Sequence, residues 1–216
     1  MNNPMSFPGY RRIHAGPVRM THWLNAGCML GMFMSGWGIY NASPLFGFTF
    51  SHSLTLGGWL GGNIAWHLAI MWVLVINGLG YITWGVLSRH FRHDLLPLSP
   101  RAVITDLRAA LTFRLAHRLG HYNAVQKLLY LGVIALCVLV VLSGLAIWKP
   151  VQFHPLTALL GGFDTARYVH FFAMAGIGLF IAIHLVLVAL VPRTLWPMIS
   201  GRARSRQHED DHHEPS

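Results

Sequence analysis

Four stretches of about twenty apolar residues constrain this chain more than any other feature: Met20–Tyr40, Ile64–Trp84, Leu128–Trp148 and Tyr168–Val191. None of them contains Asp or Glu. About 20 such residues in a helix cross the roughly 30 Å hydrocarbon layer of a bilayer. Inside lipid every backbone polar group must be satisfied within the protein, which for isolated segments of this length means α-helix. Charged residues make up only 11% of the chain, against about 25% in a typical soluble domain. The expectation is an all-α protein, a four-helix transmembrane bundle. Arg11, Arg12 and Arg19 precede the first stretch as they would a secretory signal. That stretch is too long for a signal core and ends without a small-residue cleavage pattern, so it reads as a retained helix.

The charges orient the bundle. With four alternating helices, the N-terminus, residues 85–127 and the C-terminal tail share one side. Fourteen of the sixteen Lys and Arg residues fall there, leaving only Lys149 and Arg167 opposite. Lys and Arg are retained on the cytoplasmic side, so both termini are expected inside, in a bacterial inner membrane. The net charge of +9 is therefore a topology signal and not a nucleic-acid footprint. Between the second and third stretches, Ser99-Pro100 forms a helix start. Val103, Ile104, Leu107, Leu111 and Leu115 then alternate with Arg101, Arg108, Arg114 and Arg118 at helical spacing. This predicts an amphipathic helix lying on the inner membrane surface. Residues 10–200 form the membrane domain, and the polar residues 201–216 a disordered cytoplasmic tail. His208, His212 and His213 in that tail read as solvated residues sooner than as a metal site.

Histidines supply the chemistry. His22, His67, His170 and His184 lie within or at the edge of the four stretches, and ionisable residues in such places are functional candidates. The bland alternative, a ring bonded to a neighbouring helix, is strongest for His22. At about 100° and 1.5 Å per residue, His170 and His184 share one helix face but stand roughly 21 Å apart, too far to serve one site. Counting from the inner-side arginines, His67 precedes Arg89 by 22 residues and His170 precedes Arg193 by 23, so these two share a level in the outer half. His22 and His184 share the inner half, with a mismatch of about 9 Å along the axis. Zinc would want three or four ligands, whereas two imidazoles complete the axial coordination of a low-spin haem. The reading is two haems, held by His67 with His170 and by His22 with His184. Cys28 and Cys137 read as packing residues, and the absence of CxxCH excludes covalent c-type attachment. Met29, Met32, Met34 and Met174 read as core filler. The glycines, among them the Gly27/Gly31 pair, serve helix packing or porphyrin clearance equally well.

"PVRMTHWLNAG", "HYNAVQKLLY" with "LSGLAIWKP", and "ARYVHFFAMAGIGLFIAIHLVLVAL" resemble the helices of bacterial di-haem cytochromes b. These are the membrane subunits of nickel–iron hydrogenases, respiratory formate dehydrogenases and thiosulfate reductases, and the similarity covers roughly residues 10–200. The resemblance implies two haem b groups on His22, His67, His170 and His184. The second helix matches least, making His52 the fallback for His67. It also implies a quinone pocket near the inner haem, built around Asn123 and Gln126. The implied role is to anchor a periplasmic catalytic subunit, a molybdopterin oxidoreductase or a hydrogenase, possibly through an iron–sulfur subunit. Electrons would then pass between that subunit and membrane quinone. The chain itself carries no molybdenum, nickel or iron–sulfur ligand set. Two rival readings are a stand-alone quinone-coupled oxidoreductase resembling superoxide oxidase, and a haem-free transport or assembly protein.

Overall fold

The computed structural model describes residues 10–12, 16–88, 99–111, 124–192 and 195–204. Four long helices dominate: α1 (Gly16–Ala42), α2 (Leu60–Leu87), α4 (Ala124–Trp148) and α6 (Phe163–Leu190). Each begins before its expected stretch and covers it, except that α6 stops at Leu190, one residue short of the expected end. Three are long and apolar enough to cross a membrane: α2, the Gln126–Trp148 part of α4, and α6. The first helix has the length but a more polar composition, since Arg19, Thr21, His22, Asn25, Ser35 and Asn41 all lie on it. Several of those side chains are spent inside the bundle, as described below.

Shorter elements close the ends. The surface helix expected between the second and third stretches is α3 (Pro100–Leu111). The Ser99 carbonyl accepts the Val103 amide at 3.0 Å, as a first-turn residue should, and α3 lies against α4. Leu115, Arg114 and Arg118 fall outside the described residues. Helix α5 (His154–Leu159) folds back beneath α4, where the Thr157 hydroxyl donates to the Ala146 carbonyl at 3.3 Å. Helix α7 (Leu195–Ser200) follows α6.

One small element departs from an all-helical reading. Strand β1 (Tyr10–Arg12) pairs antiparallel with β2 (Arg202–Arg204), Arg11 opposite Ala203. The expected disordered tail therefore begins with three paired residues, and residues 205–216 lie outside the described set. This pairing brings the start and the end of the bundle together. We call it the strand end, and the opposite end, with α5 and the 43–59 connection, the loop end.

The helices associate in two pairs. The backbone of α1 runs close against α2, and that of α4 against α6, while the two pairs stand further apart. Few large side chains fill the space between them. Among the described residues the fully buried side chains of greatest size are two serines, Ser35 and Ser143. Large apolar residues point outward instead, with Ile76 68%, Val86 62% and Leu190 71% exposed. A soluble protein rarely tolerates such a surface; lipid covers it without cost. A bundle with its apolar residues outside and small or polar residues inside is built around something other than its own side chains.

Candidate functional site

Both histidine pairs meet. The rings of His67 (α2) and His170 (α6) lie 6.4 Å apart between centroids, at 65°. Those of His22 (α1) and His184 (α6) lie 6.1 Å apart, at 67°. These are the couples that helix counting predicts. The strand-end couple meets despite the mismatch of about 9 Å counted from Arg19. The Arg19 guanidinium reaches past the end of α6 to the carbonyls of Met198 and Ile199 on α7. His52 sits exposed in a short 3-10 turn, His52–Leu54, and takes no part. Asn123 lies outside the described residues, and Gln126 is exposed on the first turn of α4.

The separations test what the pairs fit. A metal–imidazole bond of about 2.0 Å, plus about 1.1 Å from ring nitrogen to ring centre, puts two trans imidazoles roughly 6.2 Å apart. Both couples match that distance. No group of three or more His, Cys, Asp or Glu side chains occurs among the described residues, so a three-ligand zinc site has no candidate there. A pair of imidazoles facing a small-residue interior suits haem, whose porphyrin would supply the remaining four ligands.

The loop-end couple is framed by a motif that the sequence reading passes over. The Ser35 hydroxyl on α1 lies 3.0 Å from His67 Nδ1, and the Ser143 hydroxyl on α4 lies 3.1 Å from His170 Nδ1. The next residue is glycine in both cases. A Cβ on Gly36 would come within 3.4 Å of the His67 ring, and one on Gly144 within 3.2 Å of the His170 ring. Serine holds each imidazole and glycine gives its edge room. The signal is visible in hindsight as Ser35-Gly36-Trp37-Gly38-Ile39-Tyr40 and Ser143-Gly144-Leu145-Ala146-Ile147-Trp148.

The repeat extends through both helix pairs. Ser35 and Ser143 are each the twentieth residue of their helix, and His67 and His170 each the eighth of theirs. A Gly-Gly pair with positive φ precedes each histidine helix, Gly57-Gly58 before α2 and Gly161-Gly162 before α6. At Gly57 a side chain would come within 2.4 Å of the Asn63 backbone nitrogen, so only glycine lets the chain turn onto α2. The halves α1–α2 and α4–α6 are thus parallel copies related by an axis along the bundle, a recognised plan for membrane proteins.

The strand end breaks the repeat. His184 is the twenty-second residue of α6, and the matching residue of α2 is Tyr81; His22 is the seventh of α1, and its match on α4 is Tyr130. The Tyr81 and Tyr130 hydroxyls hydrogen-bond to each other. One half-pairing therefore presents imidazoles and the other phenols. His22 is flanked edge-on by Trp23 at 5.4 Å, and His184 is stacked on Phe180 at 6.1 Å and 9°. The Trp23 indole donates to the Met198 carbonyl at 3.2 Å, joining Arg19 in tying the start of α1 to α7. Beside His22, α1 and α2 bound an apolar groove of about 440 Å³, lined by Thr21, Leu24, Ile76, Asn77, Tyr81 and Trp84 among others. Asn77 braces it, its amide donating to the Thr21 carbonyl at 3.2 Å and to Asn25 Oδ1 at 2.8 Å.

A membrane helix bundle with two pairs of facing histidines is what the fold and site define. Residues 13–201 match the family model described as prokaryotic cytochrome b561, and the chain belongs to that family. It is 49% identical over 190 residues to the putative protein-methionine-sulfoxide reductase subunit YedZ1 of Azospira oryzae, covering 88% of this chain and 96% of that one. It is 24% identical over 199 residues to the cytochrome b556(fdo) subunit of formate dehydrogenase from Escherichia coli K12, covering 92% and 88%. The family and the three apolar helices make this an integral inner-membrane protein, a cytochrome b-type electron-transfer subunit that binds haem b.

Proposed function

We propose that the chain spans the inner membrane four times with both termini in the cytoplasm, and that it carries electrons from membrane quinol to a separate periplasmic catalytic subunit. His67 and His170 would hold one haem b towards the loop end, His22 and His184 a second towards the strand end. When bound, each haem would supply reversible one-electron chemistry. The protein's part is to fix the four imidazoles, to exclude water from them, and to bring quinol and partner to opposite ends.

The two ring separations near 6 Å carry this reading. Orientation is supported by the pairing of β1 with β2, which brings the arginine-rich first and last described segments to one end. A four-span reading uses α1 despite its polar residues, because Ser35 and Asn25 spend their hydrogen bonds within the bundle. Quinol belongs at the strand end. The groove between α1 and α2, with Thr21 and Tyr81 in its lining, offers an apolar site at that end. Tyr81, which lines it, meets Tyr130 one turn beyond Gln126. Asn123 and Gln126 would supply polar contacts to the quinone carbonyls. The outward direction is supported by the relative named as a subunit of a protein-methionine-sulfoxide reductase, which matches along nearly its whole length. By the same likeness, the partner reduces methionine sulfoxide in proteins.

Haem quantitation and a redox difference spectrum on the purified chain test the reading. Two b-type haems per chain are expected, reducible by quinol. A correctly inserted but colourless protein rejects it.

A further inference from the structure

We propose that Ser35 and Ser143 are positioning residues that fix the tautomer and basicity of His67 and His170, and so set the potential of the loop-end haem separately from that of the other. The inference rests on the two-haem reading and adds to it a named control of one site.

A single proton decides the arrangement. A serine hydroxyl has one hydrogen to donate and lone pairs with which to accept. Ser35 lies 2.7 Å from the Gly31 carbonyl one turn back and 3.3 Å from that of Met32. Ser143 repeats this, at 2.7 Å from Leu139 and 3.2 Å from Val140. Carbonyls only accept, so the short contact takes the hydroxyl hydrogen. What each serine then turns towards the imidazole, at 3.0 Å and 3.1 Å, is a lone pair. Nδ1 must therefore carry the hydrogen and donate it, which leaves the lone pair of Nε2 for a metal.

The opposite tautomer would set a lone pair against a lone pair inside a buried site. Both serines are 0% exposed, so no bulk water can relieve that conflict. Partners of this kind orient metal-bound histidine and raise its basicity, and their loss typically weakens metal affinity about 10–100-fold. A more basic imidazole favours the oxidised iron. Both axial ligands of the loop-end haem receive the same treatment, because the two halves of the bundle repeat.

The test uses the full-length, haem-loaded chain with alanine and threonine at each position. S35A and S143A remove the hydroxyl acceptor from the Nδ1 hydrogen and leave it the backbone carbonyls of Met32 and Val140. The loop-end haem is then expected to become easier to reduce, its reduced-to-oxidised ratio at fixed ambient potential rising several-fold, while the strand-end haem keeps its potential. S35T and S143T, which keep the hydroxyl, restore the wild-type value. As a check independent of the variants' assembly, 15N NMR of the reduced, diamagnetic wild type is expected to show protonated Nδ1 on both His67 and His170. An Nδ1 without hydrogen on either residue overturns the proposal, as does a potential that does not move or that moves equally for both haems. Failure of the haem reading looks different: His67→Ala would then leave the haem content unchanged.

Discussion

The two ends of this bundle each bring two histidines together and frame them in opposite ways. At the loop end, His67 and His170 are counterparts in a repeat, each held by a serine and cleared by a glycine. At the strand end, His22 and His184 come from unrelated positions of the repeat and are flanked by Trp23 and Phe180. The first site is fixed by polar contacts within the membrane. The second also draws on an element beyond the four long helices, because Arg19 and Trp23 moor α1 to the last turn of α7. A site set by its immediate neighbours tolerates change elsewhere; a site set by a mooring does not.

The largest expected effect separates the ends outright. His67→Ala or His170→Ala should remove one haem of two and leave the other's spectrum intact, while His22→Ala or His184→Ala should do the reverse. Loss of both haems from a single replacement would show the sites to be coupled, and the contrast drawn above would fall.

Removing residues 195–216 comes next. A cation at the carbonyl end of a helix contributes about 0.3–1 kcal/mol and an ordinary hydrogen bond about 0.5–1.5 kcal/mol, so releasing both Arg19 and Trp23 should weaken strand-end haem retention by roughly 4- to 60-fold at most. Titrating haem loss from the detergent-purified protein checks this, and the loop-end haem should not change. Arg19→Ala with Trp23→Phe should reproduce much of the effect.

Within the loop-end site the halves differ slightly. A methyl group on Gly144 meets the His170 ring at 3.2 Å, against 3.4 Å for Gly36 and His67. Gly144→Ala should therefore disturb the loop-end haem spectrum more than Gly36→Ala. Gly38→Ala is a harsher steric test outside the ligand shell, because the new atom falls 2.4 Å from the Asn63 side chain. Overpacking of this kind costs about 1–3 kcal/mol, visible as a lower thermal midpoint, whereas Gly27→Ala meets nothing within 4 Å and should be neutral or slightly stabilising.

The smallest effect is expected at the phenols. Tyr81→Phe or Tyr130→Phe removes one hydrogen bond, worth about 1 kcal/mol, and should leave both haems in place. A lost haem in either variant would mean that the tyrosines support a ligand directly.

Much of this was legible in the sequence. Apolar length fixed the long helices, and counting from Arg89 and Arg193 brought His67 level with His170. Ser99-Pro100 marked the start of α3. What escaped depended on contacts rather than periodicity. Counting from Arg19 left His22 and His184 about 9 Å out of level, yet their rings meet. Ser35 and Ser143 resemble ordinary small residues in a packed helix until their hydroxyls are seen against imidazoles. The strand pairing of Arg11 with Ala203 has no local signal, since three-residue strands carry no alternation to read. Asn123 belongs to residues the structure does not describe, so its expected role passes to experiment.

The tyrosine couple has a directional consequence. Two identical halves would carry ligands on both flanks at the strand end, and here one flank has given them up. On the proposed reading, quinol meets the hydroxyl flank of α2 and α4, and electrons enter the imidazoles of α1 and α6 before reaching the couple midway between the halves. The two flanks of the strand end therefore divide the work, and neighbours in the membrane must approach the bundle with the correct hand.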